Sequence, residues 1–144
     1  MEKVELERNI VSSENDAKIS FENYAVNKII LRDLEENEES EKEKGNFEIN
    51  VGIDENKERI KINMKVLPKD RYVEIEMIGI FKFSENFPEE DKEKFLRING
   101  AAILYPYIRA YTSTVTSFDK TGNALIIPTI NFQRLYEDSL KQKS

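Results

Sequence analysis

The sequence predicts an α+β fold: a four-stranded antiparallel sheet with a long helix and a short C-terminal helix packed on it. Three observations carry that expectation. Between residues 47 and 83, apolar and polar residues alternate with period two in three runs separated by turn-like segments, as half-buried strands require. The short connections imply antiparallel neighbours, because a parallel crossover needs about a dozen residues or more. From Ile98 to Phe132 only Arg109, Asp119 and Lys120 are charged, although 35% of the chain is charged. That stretch must be hidden from water or offered to another chain.

Taken in order, Val4, Leu6 and Ile10 suggest a first strand, interrupted on its apolar face by Arg8. A long linker follows. Its early part holds Ile19, Phe21, Tyr24, Val26, Ile29, Ile30 and Leu31, and is expected to lie across the sheet. Its later part, Asp33–Lys44, has seven acids against two lysines and reads as a solvated loop or as a site for a basic partner. Phe47, Ile49, Val51 and Ile53 then alternate with Glu48, Asn50, Gly52 and Asp54. After ENKE the pattern repeats at Ile60, Ile62, Met64 and Val66. LPKDR supplies the next turn, since Pro68 cannot continue a ladder. Tyr72–Phe83 is a long strand with Val73, Ile75, Met77, Phe81 and Phe83 on one face.

PEEDKEKFLRI reads as a helix start, with Pro88 early and Glu89, Glu90 and Asp91 at the positive end of the dipole. The segment after it is ambiguous by period. AYTSTVTSF alternates like a strand, whereas Leu104, Ile108, Tyr111, Val115 and Phe118 form a helical stripe. Pro106 would then stand in the first turn of a helix, where its missing N–H costs little. KTGN ends the element in either case. Asn131 can cap a last helix with Phe132, Leu135, Tyr136 and Leu140 along one side.

The composition narrows the chemistry. With no His, Cys or Trp, imidazole bases, thiol nucleophiles, disulfides and the usual zinc ligands are absent. A formal charge of −6 argues against broad nucleic-acid binding. The five scattered glycines make neither a dinucleotide fingerprint nor a P-loop. Glu74 and Glu76 are the best carboxylate pair, but they read as solvent-side charges facing Lys61 or Lys65 rather than as an acid–base pair. We therefore expect neither an enzyme nor a cofactor. A small-molecule binder is a further reading, because a helix-covered sheet can enclose a cavity. The charged MEKVELERNI start and the short uncharged runs predict one soluble, cytoplasmic domain over residues 1–144, with no membrane insertion.

Four segments in register carry a family resemblance. ILYPYIRAYTSTVTS and ALIIPTINFQRLYEDSL, with KISFEN and GIFKFS before them, resemble the corresponding segments of the SecB export-chaperone family. The resemblance implies that Pro106–Phe118 is helical. It also implies a homotetramer, a dimer of dimers, that holds unfolded preproteins in apolar grooves without ATP and passes them to the SecA translocase ATPase. Client-binding candidates by resemblance are Ile49, Val51 and Ile53 on a strand and Phe132, Leu135 and Tyr136 on the last helix. Their other reading is monomer core. Glu22 and Glu74 align with translocase-contacting acids, while Lys18 and Tyr72 depart from the family's residues in that patch. Tyr107, Ile108, Tyr111 and Val115 are expected at the oligomer interface. Small Thr112, Ser113 and Thr116 would permit close helix approach. The departures also suit a SecB-like chaperone that guards an antitoxin in a toxin–antitoxin system.

Overall fold

Strand-forming residues occupy the first part of the computed structural model, which describes residues 3–9, 18–35, 47–68, 71–118 and 122–142. Strands β1 (Ile19–Asp33), β2 (Phe47–Ile53), β3 (Arg59–Val66) and β4 (Arg71–Phe83) form one antiparallel sheet in the order β1-β4-β3-β2. The predicted meander is present, with Ile49 opposite Met64 and Met64 opposite Ile75.

The first strand is not the predicted one. Residues 3–9 form no strand, and Val4 and Leu6 are exposed; Ile10 lies outside the described residues. The sticky linker is itself β1. Two bulges, between Phe21 and Asn23 and between Val26 and Lys28, break its alternation, because each adds a residue and resets the facing of the strand. Phe21, Tyr24, Val26, Ile29 and Leu31 thus stand opposite Phe81, Gly79, Met77, Ile75 and Val73, along one face. Only residues 33–35 of the acidic run fall within the described part, so its predicted behaviour lies outside it.

The turn between β2 and β3 is built on Asp54. Its Oδ1 accepts the backbone N–H groups of Glu58 at 3.0 Å and Arg59 at 2.9 Å. Lys57 takes the left-handed conformation, φ 55°.

The helical layer begins earlier than the stripe suggested. A 3-10 turn (Glu89–Asp91), α1 (Lys92–Phe95), a π turn (Leu96–Gly100) and α2 (Ala101–Ser117) run without a break. The π turn has a packing reason. Leu96 and Ala101 are five residues apart, and i→i+5 winding brings both toward the sheet, where both are fully buried. Gly100 sits where a Cβ would meet Leu96 at 3.3 Å and Phe81 at 3.5 Å. Pro106 accordingly lies inside the helix and not in its first turn. It is exposed, on the side where water can satisfy the carbonyl its ring leaves unbonded.

The core forms between this helix and one sheet face. Ile60, Ile62 and Met64 from β3 and Val73, Ile75 and Met77 from β4 meet Leu96, Leu104 and Ile108, all fully buried. Each such side chain contributes roughly 1.5–3 kcal/mol. After α2 the chain returns over the layer: Leu125 donates its N–H to Thr116 Oγ1 at 2.7 Å, and Pro128 accepts the Tyr105 hydroxyl at 2.5 Å. Helix α3 (Phe132–Gln142) follows. Asn131 caps it as expected, with Oδ1 accepting the Arg134 N–H at 3.0 Å. Among the described residues, no helix is long and apolar enough to cross a membrane.

Candidate functional site

Strand β2 ends the sheet on one side, and among the described residues no further strand pairs with its outer backbone edge. Helix α3 is amphipathic and rests beside it. Between them lies a groove of about 320 Å³, whose apolar walls are Ile49 and Val51 from β2 and Phe132, Leu135 and Tyr136 from α3. Five of the six client-binding candidates therefore meet in one place. Phe132 is buried and packs edge-on against Tyr105, with ring centroids 5.4 Å apart, so it forms the floor and serves the core as well. Leu135 is 39% exposed, and Tyr136, Ile49 and Val51 are half-buried. Ile53 is the exception: it lines a neighbouring hollow at the end of β2, not this groove.

The sequence reading missed the polar rim. Arg97, Ser139 and Gln142 complete the lining. Arg97 sits on the π turn, held by Glu93 at 3.2 Å, and its Nη1 donates to the Val51 carbonyl at 3.5 Å. No local pattern marks Arg97, because only the fold brings it to β2. The Ser139 and Gln142 positions were legible in principle, lying three or four and seven residues along α3 from Leu135 or Tyr136.

The two acidic candidates stand on the sheet away from the groove. Glu22 is exposed and is the extra residue of the first bulge in β1. Glu74 stands opposite Lys65 in the register, as expected, but is only 5% exposed, which corrects its reading as a solvent-side charge. Tyr72 donates its hydroxyl to Oε1 at 2.5 Å, Asn63 donates to Oε2 at 2.8 Å, and Lys28 of β1 reaches Oε2 at 3.3 Å. Burial pushes the Glu74 carboxyl up, but these three bonds together outweigh it and hold it below its ordinary value. Glu76 is equally engaged: Asn27 donates to it at 2.5 Å and Asn63 at 3.1 Å. The Asn27 bond leads in lowering its pKa, against burial. This pair is part of an interlocked polar network.

Of the expected interface residues, Ile108 is fully buried within the chain and has no surface to offer a second copy. Its side of α2 faces the sheet. Tyr107, 37% exposed, lies on the β1 side, 4.5 Å from the Tyr24 ring and 5.9 Å from Phe21. Tyr111 meets Tyr24 edge-on at 6.5 Å, and Val115 is half-buried. Val26 and Ile29 are exposed on the same sheet face. Thr112 and Thr116 are fully buried and turn their hydroxyls back onto the carbonyls of Ile108 and Thr112. Their small size serves the close approach of the chain's own elements.

Comparison with known proteins bears on the family and the fold. Residues 16–143 match the family described as preprotein translocase subunit SecB. The protein-export protein SecB of Cupriavidus taiwanensis is 34% identical over 112 residues, covering 72% of this chain and 63% of that protein. The chain thus spans a little under two thirds of that relative's length. An uncharacterised protein of Methanocaldococcus jannaschii is 28% identical over 124 residues, covering 78% of this chain and 79% of the relative. The fold is also similar to that of a Mycobacterium tuberculosis SecB-like chaperone in complex with a ChAD peptide from the HigA1 antitoxin. That likeness has a TM-score of 0.55 and 16% identity, covering 78% of this chain and 91% of the other. With its antiparallel sheet, long helix and short C-terminal helix, and with the family match running over nearly the whole described chain, this protein belongs to the SecB family of chaperones.

Proposed function

We propose that this chain is an ATP-independent holdase that binds unfolded polypeptides in the groove between β2 and α3. The observation that carries the reading is the convergence of Ile49, Val51, Leu135 and Tyr136 on one apolar groove beside the strand at the edge of the described sheet. Unfolded chains expose apolar side chains and unpaired backbone. Such a groove gains from burying the former without reading sequence, and the edge strand offers hydrogen bonds to the latter. No reacting group is needed. Tyr107, Tyr111 and Val115, with Val26 and Ile29 beside them, are proposed as contacts between copies in a homotetramer.

Delivery of preproteins to the SecA translocase is the family-derived partner for this reading. In this chain it would rest on exposed Glu22, because Glu74 has its oxygens committed to Tyr72, Asn63 and Lys28. The same observation favours a second reading, a chaperone that guards an antitoxin and has no translocase to serve. The test is aggregation of a chemically unfolded client with and without the protein, in the absence of ATP, alongside solution mass and SecA binding at low salt. Suppression by a tetramer is the expected result. A monomer with no effect on aggregation overturns the holdase reading, and suppression without SecA binding selects the antitoxin reading.

A further inference from the structure

The sheet face away from the helices divides into two unlike halves. In one half, Glu74 and Glu76 are locked to Lys28, Asn27 and Asn63. In the other half the register sets Gly52 beside Lys61 beside Ile78, with Arg59 next to Ile80 in the adjoining row. Gly52 has no side chain, and a Cβ built there would meet nothing within 4 Å. A hollow of about 400 Å³ results, floored by Ile78 and rimmed by Arg59 and Lys61. Lys82 stands one row further on the same face.

The charges of this half are available. Arg59 and Lys61 are exposed and form no ion pair with another described residue. The nearest acid at the rim, Asp54, has one carboxylate oxygen accepting two backbone N–H groups. Glu76, which Lys61 feels electrostatically, has its oxygens taken by Asn27 and Asn63. A basic rim over an apolar floor is unusual in a chain of formal charge −6.

We propose that this hollow is a second docking site, distinct from the groove at α3, and that its occupant is an acidic polypeptide segment with an apolar side chain among its carboxylates. Complementary charge selects the acids, and the space above Gly52 takes the apolar side chain. A nucleic acid fits less well. The hollow offers isolated cations rather than a track of them, and the acidic body of the chain repels a polyanion.

The experiment uses a short fluorescein-labelled peptide of glutamates around a central leucine–phenylalanine pair, followed by anisotropy at low salt on the full chain. Binding is expected, falling as salt is raised past the range where the Debye length is about 8 Å. Lys61→Glu weakens it by roughly fivefold or more, as a charge reversal at a partly exposed contact should. Gly52→Leu, which fills the hollow where space is open, removes it. Both variants keep the wild-type far-ultraviolet spectrum and suppress client aggregation normally, so their effect on the peptide does not depend on the holdase reading. An excess of unfolded client leaves the peptide bound. The proposal is overturned if the folded wild type does not bind the peptide, if both variants bind it as the wild type does, or if unfolded client displaces it. Binding of a single-stranded oligonucleotide in place of the peptide, with the same dependence on Lys61, also overturns it.

Discussion

Asn27, the extra residue of the second bulge in β1, donates a 2.5 Å hydrogen bond to Glu76 on β4. The bond ties an irregular edge strand to the middle of the sheet. It also fixes the point at which β1 switches facing, so that Ile29 and Leu31 continue the apolar side begun by Phe21 and Tyr24.

That relationship makes stability sensitive to acid. Glu74 and Glu76 both have folded pKa values below the ordinary 4.5, so the unfolded chain binds their protons first. Their contribution is complete above pH 4.5 and is lost as pH falls through the lowered values. Denaturant midpoints measured from neutral pH downward should therefore decline below about 4.5. Asn27→Ala should cost about 1–3 kcal/mol at neutral pH by leaving a buried carboxylate short of a donor, and should shallow the acid decline. A variant with the wild-type pH profile would show that the bond does not tune Glu76.

Alkali should act through Tyr105. Burial pushes its pKa up to about 12 from 10.0, and its hydroxyl is committed to the Pro128 carbonyl. A group with a raised folded pKa contributes fully below pH 10.0 and loses that contribution as pH rises toward 12. Thermal midpoints should fall across that window. In Tyr105→Phe the component belonging to this hydroxyl should vanish, leaving a shallower alkaline slope from a lower starting stability.

One hydroxyl anchors the start of the chain's return over the core. Thr116 Oγ1 donates to the Thr112 carbonyl at 2.6 Å and accepts the Leu125 N–H at 2.7 Å. Thr116→Val keeps the shape but orphans that N–H. The expected loss is about 1–3 kcal/mol, measured by urea unfolding. Thr116→Ser, which keeps the oxygen, should lose less.

In the groove, Tyr136→Asp places a charge on an apolar wall without removing a fully buried side chain. Client affinity should drop roughly tenfold, as loss of an aromatic anchor does, with the unfolding midpoint little changed. Fluorescence titration with an unfolded client reads the first quantity and denaturation the second. Equal affinity in a folded variant would remove Tyr136 from the site.

Strands β2, β3 and β4 were legible because each keeps strict alternation with one face on the core. The Asn131 cap and the amphipathic α3 were legible for the same local reason: their signals lie within a turn or two of the residues they govern. Strand β1 was not, because two bulges convert its apolar spacing to steps of three and two, which neither a regular strand nor a helix produces. Val4 and Leu6 alternate better than β1 does, yet they form no strand among the described residues. The groove was half legible: Leu135 and Tyr136 announced an apolar helix face, but Arg97 joins them only through the π turn.

By itself, then, the sequence determined the sheet-and-helix class, three strands, the last helix, the exclusion of thiol and imidazole chemistry, and a family likeness. Tertiary structure decided which residues serve as surface. It buried Ile108 and Glu74, moved Ile53 out of the groove, and set Arg59 and Lys61 over an apolar hollow. The physical reason is that pattern reports the face a residue takes within its own element. Whether that face is covered depends on what other elements bring to it, and here the bulges of β1 and the π turn before α2 made that choice.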